Sequence, residues 1–145
     1  MDIEVPEGVQ AFNLWTLCIM ARLWEEFPRP QWFNSTPRSI QVTSDSQAAG
    51  VPIGPEGPEQ VPLFAHTLNW LIDEGFATGK GNAAGAFAYV RLTTKGFSVL
   101  NQVPRSISTK AASAANKPLG ALIREAAAKH AVDAAATLIQ KMLRP

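Results

Sequence analysis

Between Gly75 and Arg124 the chain carries seven cations, Lys80, Arg91, Lys95, Arg105, Lys110, Lys117 and Arg124, and not one carboxylate. Side chains of one sign held together set up a field that gathers ions of the other sign, and an anionic partner such as a phosphate backbone fits this span. The net charge of +1 hides the asymmetry. Residues 1–60 hold three basic against eight acidic side chains, and residues 61–145 hold ten against four. A mildly basic, solvated surface is the plain alternative to a binding site.

Other chemistry finds less support. The run GKGNAAG, residues 79–85, has the glycines of a nucleotide loop. A dinucleotide fingerprint needs a helix after it, and a P-loop needs Gly-Lys succeeded by Ser or Thr. The next residues here, FAYVRL, read as a strand, so the run is a hairpin turn. A glycine-rich hairpin tip can approach a phosphate backbone closely, with Lys80 and Arg91 as its contacts. His66, His130 and Cys18 show no metal-ligand spacing. No serine lies in a Gly-x-Ser-x-Gly setting, and Asp73-Glu74 reads as a helix end. No catalytic residue, metal or cofactor is expected, and an enzyme is the least supported class. Cys18, the single cysteine, lies in an apolar run and reads as a small core hydrophobe. Its solitude fits a reducing, cytoplasmic setting. The acidic start MDIEVPEG lacks the basic region of a secretory signal. The apolar run Leu14–Ala21 is far short of the ~20 residues that cross a bilayer.

A chain of 145 residues fits one domain, 1–145. The spacing predicts a helix over 9–27 whose apolar residues lie nearly all round, Trp15 and Trp24 among them. Such a helix must be buried on every side, by a packed C-terminal helix or by a partner chain. FPRP ends it. Residues 31–62 are harder to read: RSIQV has the look of a short strand, SDSQAAG of one helical turn, and GVPIGPEGPEQVP of a loop. A second helix begins near Pro62, with Phe64, Leu68, Leu71 and Ile72 on its buried stripe. His66, Asn69, Trp70 and Asp73 fall off that stripe. Gly75 is placed to end the helix in a left-handed conformation, and Phe76 to anchor it. FATGK and FAYVRL then form the hairpin. Strict alternation puts Phe87, Tyr89 and Arg91 on one face and Ala88, Val90 and Leu92 on the other. Thr93 is a natural N-cap for TKGFSVLNQV, and RSISTKAASAANK reads as a linker. A third long helix runs from Leu119 to Leu143, with Ala131, Ala135 and Leu138 on its small-residue face.

The order helix, DEGF, glycine-rich hairpin, VRLTTKGFSVL resembles the second half of a winged helix-turn-helix domain. The MarR-like and PadR-like regulators carry a similar run over a stretch matching residues 62–102. There a helix ending in a Leu-x-x-x-Gly pattern is the recognition helix. The hairpin is the wing, and a Leu-Thr-x-Lys-Gly run closes it; here these are Leu71–Phe76 and Leu92–Gly96. The resemblance implies a mainly α fold with a β-hairpin wing (α+β), a winged-helix-like core at 62–102, and long terminal helices at 9–27 and 117–144. It implies transcription regulation through duplex DNA, with His66, Thr67, Asn69, Lys80, Arg91 and Lys95 as contacts. Asn pairs with adenine in the major groove, yet this helix offers neither Arg nor Lys.

The apolar first helix and the alanine stripe of the last point to a homodimer, with Trp15, Trp24, Trp70, Ala131, Ala135 and Leu138 at a protein interface. The competing reading is a winged-helix module that binds a protein partner and no DNA. Its support is the acidic first half, the uncharged recognition-like helix, and the tryptophans at positions 32 and 70, since an exposed Trp tends to mark a binding surface.

Overall fold

The first helix dictates the architecture, because a helix apolar all round has to be covered all round. The computed structural model describes residues 6–35, 40–44, 51–81, 86–101, 118–129 and 132–143. Its elements run α1 (Glu7–Glu26), β1 (Gln31–Ser35), β2 (Ile40–Ser44), β3 (Val51–Pro52), α2 (Gln60–Asp73), β4 (Ala77–Gly81), β5 (Phe87–Leu92), α3 (Thr94–Asn101), α4 (Leu119–Ala128) and α5 (Val132–Leu143). The result is a mixed α+β fold, with more sheet than the single hairpin expected. Trp15, Leu17, Cys18, Ile19, Met20 and Leu23 of α1 are all buried. Their cover comes from the same chain: α2, α4, α5 and β5 all pack on α1. The packed C-terminal helices, one of the two covers the sequence allowed, are among them.

The C-terminal segment forms two helices where the sequence pattern gives one. The first closes at Lys129, whose N–H donates to the carbonyls of Glu125 and Ala127. No glycine or proline lies between the two helices. A straight helix of 25 residues would measure ~37 Å, against ~30 Å for the 20 residues of α1. Broken, both halves lie against α1 and against each other. The approach is close at Gly120, where a Cβ would stand 2.5 Å from the Trp24 ring.

Residues 31–62 supply the larger departure. All five strands pair antiparallel in one sheet of order β3-β2-β1-β5-β4. RSIQV contributes to β2, as expected. QWFNS was not legible as a strand, and Val51–Pro52 adds a two-residue edge inside what reads as a loop. One face of the sheet is covered: Phe33 and Phe87 meet Phe64 of α2 at ring separations of 5.5 and 5.7 Å. The SDSQAAG turn from position 45 on, the hairpin tip at 82–85 and the RSISTKAASAANK linker lie outside the described residues.

The second helix ends as its sequence predicts. Gly75 has φ +85°. The Phe76 N–H donates to Leu71 O (2.9 Å) and the Gly75 N–H to Ile72 O (3.1 Å), the paired bonds of a Schellman ending. The Thr93-Thr94-Lys95-Gly96 run clasps this ending to α3. The Thr93 hydroxyl donates to Gly75 O and accepts from the Gly96 N–H at 3.1 Å, so one side chain caps α3 and holds the end of α2. Thr93 N–H donates to Phe76 O. The Lys95 ammonium donates to Glu74 O at 2.9 Å and sits 4.3 Å from the Phe76 ring centre. There it meets both the negative end of the helix dipole and an aromatic face. Gly96 is required by space, since a Cβ there would stand 2.1 Å from Phe76 O.

This geometry fixes the sign of a substitution that helix propensity alone gets wrong. Within a helix, Gly to Ala ordinarily stabilises by ~0.5–1 kcal/mol. Gly96→Ala is expected instead to destabilise by about 2–3 kcal/mol, because backbone has to move. Gly8→Ala in α1, where a Cβ meets nothing within 4 Å, is expected to be neutral or slightly stabilising. Urea unfolding midpoints of the two variants decide; a more stable Gly96→Ala protein contradicts the close approach.

Candidate nucleic-acid interface

Of the seven cations between Gly75 and Arg124, four are among the described residues: Lys80, Arg91, Lys95 and Arg124. Arg124 is neutralised by Glu25 of α1, with Nη1 and Oε1 at 3.3 Å. Lys95 is engaged on Glu74 O and the Phe76 ring. Lys80 and Arg91 remain, both exposed and neither in an ion pair among the described residues. They belong to β4 and β5 and point from the sheet face that α2 does not cover.

The residues of that open face follow from burial and register. On β1, Gln31 and Phe33 are buried, so Trp32 and Asn34 face outward. On β2, Ile40 and Val42 are buried, leaving Gln41 and Thr43 opposite Asn34 and Trp32. On β4, Thr78 pairs with Arg91 and Lys80 with Ala88. The face thus carries two aromatics, two cations and several neutral polar groups. No strand of the sheet contains Asp or Glu. A groove of about 450 Å³ runs over it, lined by Trp32, Asn34, Thr43, Lys80 and Ala88 among others.

The aromatic pair on this face depends on a bulge. From Gln31 to Phe33, two steps on β1, β5 takes three, from Val90 to Phe87. It does the same against β4, where Thr78 to Lys80 faces Arg91 to Ala88. The extra residue sits at Tyr89, whose φ is +57°. Strict alternation is therefore overturned: Phe87 joins Val90 and Leu92 in the core, while Ala88, Tyr89 and Arg91 face away. Full burial of Phe87 contributes about 2–3 kcal/mol, which offsets the ~1–2 kcal/mol cost of a left-handed tyrosine. Tyr89, 64% exposed, is thereby turned beside Trp32, with ring centres 5.0 Å apart and planes tilted by 56°.

The other residues singled out in the sequence scatter. Thr67 is buried, and its hydroxyl donates to Leu63 O at 2.8 Å, so it has nothing to offer a nucleic acid. His66 and Asn69 are exposed on α2, which packs on the covered face of the sheet. They are not brought together with Lys80 and Arg91. Trp15 is fully buried, with Nε1 donating to Gln60 Oε1 at 2.9 Å, and cannot reach a partner chain. Trp24 lies under Gly120 and donates to Asn101 Oδ1 at 3.2 Å. Trp70 is half-buried between Phe12 and Phe76, at 5.0 and 6.3 Å. Leu138 belongs to the core, Ala135 lies within α5, and Ala131 and His130 are outside the described residues. Trp32 and Tyr89 were not expected to form a pair: their signal is an aromatic at matching positions of two strands, and β1 itself was not legible.

A second hollow, of about 310 Å³, lies between α1, α4 and the loop after β3, lined by Cys18, Arg22, Glu25, Gly54 and Arg124 among others. Its guanidiniums face carboxylates: Arg124 pairs with Glu25, and Arg22 Nη2 stands 4.0 Å from Glu26 Oε1. Burial pushes the Cys18 thiol up to about 12. Among the described residues no three His, Cys, Asp or Glu side chains group to hold a metal, and no helix is long and apolar enough to cross a membrane.

Comparison of the chain with protein-family models, with curated proteins and with solved structures found no match. The thiol makes the packing of α1 testable. Since only the thiolate alkylates, the native protein at pH 8 is expected to react with iodoacetamide at least tenfold more slowly than the same protein in denaturant. Equal rates would mean that Cys18 is not shielded.

Proposed function

We propose that this chain is a nucleic-acid-binding protein, with duplex DNA and transcription regulation as its setting, acting through the open face of the sheet and the β4–β5 hairpin. The observation that carries the reading is that Lys80 and Arg91 stand exposed on a sheet with no carboxylate. The other two described cations of the same span are neutralised or engaged within the chain. Phosphate contacts position a protein on nucleic acid without reading sequence, and two cations on adjacent strands can track a backbone. The run α2, β4, β5, Thr-Thr-Lys-Gly, α3 supports a winged-helix-like frame. The part directly before α2 departs from it, because β2, β3 and a loop stand where the regulators have a short helix.

One observation favours a protein partner instead. The α2 helix has no Arg or Lys, and Asp73 and Glu74 mark its end, so it is poorly suited to enter a groove lined with phosphates. A homodimer stays a separate proposal, with less motive now that α1 is covered from within the chain.

Phosphate contacts release condensed counterions, so binding is expected to fall steeply with salt. Replacing Lys80 and Arg91 together by Ala should weaken binding to unrelated duplexes evenly. It should also reduce the slope of log K against log salt by about 2, at ~0.9 per lost contact. Fluorescence anisotropy over a salt series measures both. No binding of the parent protein to any duplex at low salt would remove the DNA reading.

A further inference from the structure

Phosphate binding accounts for Lys80 and Arg91 but leaves Trp32 and Tyr89 unexplained. We infer that the open sheet face is a stacking platform for unpaired bases, so that the strand it holds is single-stranded or locally opened nucleic acid. The inference rests on the nucleic-acid reading of the same face and goes further by naming what the aromatic pair does.

Three observations converge on it. The first is composition: a sheet face with two aromatic rings, two cations and no carboxylate on its strands is complementary to a ligand of flat rings strung on anions. Single strands are held in this way, with bases on aromatic faces and the backbone on positive charge, and with little dependence on sequence because every base has a π-face. The second is placement. Lys80 lines the same groove as Trp32, and Arg91 lies two residues along β5 from Tyr89. Asn34 and Thr43 in that groove offer donors and acceptors to base edges.

The third is backbone conformation. A large aromatic in the left-handed region is an outlier that the surroundings must impose. Sending Phe87 inward requires one extra residue on β5. It does not require that residue to be aromatic, and Gly or Asn would hold φ +57° at lower cost. The chain instead spends a tyrosine there, leaves it 64% exposed and sets it beside Trp32. Bulges commonly re-aim side chains in this manner next to binding sites. A cross-strand pair that only stiffened the sheet could be built from residues in ordinary strand geometry.

The test compares a labelled 12-nucleotide single strand with the duplex of the same sequence, both titrated by anisotropy. Tyr89→Asn removes the ring while tolerating the left-handed backbone, and Tyr89→Phe keeps the ring. Trp32→Ala probes the other half of the platform, with circular dichroism and the urea midpoint of each variant as a check on folding. Tyr89→Asn and Trp32→Ala are each expected to weaken single-strand binding by roughly 5- to 100-fold, the range for one lost base stack, and to leave duplex affinity within about twofold. Tyr89→Phe should retain single-strand affinity. Saturating single strand should quench tryptophan emission in the parent protein, and the quench should largely disappear in Trp32→Phe.

A folded Tyr89→Asn protein that binds the single strand as well as the parent does overturns the stacking role. So does an equal loss on single strand and duplex, which would make the pair structural. In both cases the nucleic-acid reading stands. If the parent protein binds neither form at low salt, that reading itself falls, and the aromatic face passes to a protein partner.

Discussion

Everything in this fold answers to one constraint, the burial of α1. Its large apolar side chains are spread around the whole circumference, so no single neighbour can cover them. Two C-terminal helices, the α2 helix and the sheet share the task. Apolar burial is worth roughly 25 cal/mol per Å², so a helix of this composition strongly favours any arrangement that closes over it. That pressure is met in part by α4 and α5, which both lie against α1. It also explains why Trp15 and Trp24 serve the chain's own core and a contact under Gly120. A tryptophan is a strong interface residue only where some of its surface remains free, and the core takes up surface first.

With the core closed, the hairpin is held by local chemistry at its base. The Schellman ending at Gly75, the doubly used hydroxyl of Thr93, the Lys95 ammonium on Glu74 O and the missing side chain of Gly96 together fix where β5 ends and α3 begins. Each contact is modest. Charge-assisted and capping hydrogen bonds contribute about 1–2 kcal/mol each, but they act on one short segment and fix its direction. Lys95 is thereby removed from the set of free cations. The hairpin presents Lys80 and Arg91 from this fixed base.

The bulge at Tyr89 links the covered face to the open one. The same extra residue that sends Phe87 into the cluster with Phe33 and Phe64 turns Tyr89 outward beside Trp32. A packing requirement on one side of the sheet therefore shapes the chemistry of the other. Because residues two apart on a regular strand share a face, the inserted residue is what lets Phe87 point inward while Tyr89 points outward.

Signals confined to a few neighbouring residues were legible in the sequence. The stop of α2, the left-handed Gly75, the hairpin strands, the Thr93 cap and the burial of Cys18 depend on spacing or on one residue's conformational preference, and each stands where the pattern put it; α2 starts at Gln60, two residues before Pro62. The carboxylate-free span was equally plain. The sequence could not say which of its cations are free, because the partners of Arg124 and Lys95 are distant in sequence or are backbone carbonyls. Strand β1 was hidden because QWFNS is short and comes after a proline-rich turn; it becomes a strand by pairing with β2 and β5, two partners found only on folding. The left-handed Tyr89 and the meeting of Trp32 with Tyr89 were decided by tertiary structure. Each resolves a competition between local preference and burial, and burial prevails because it is summed over many atoms, whereas the local preference is that of a single residue.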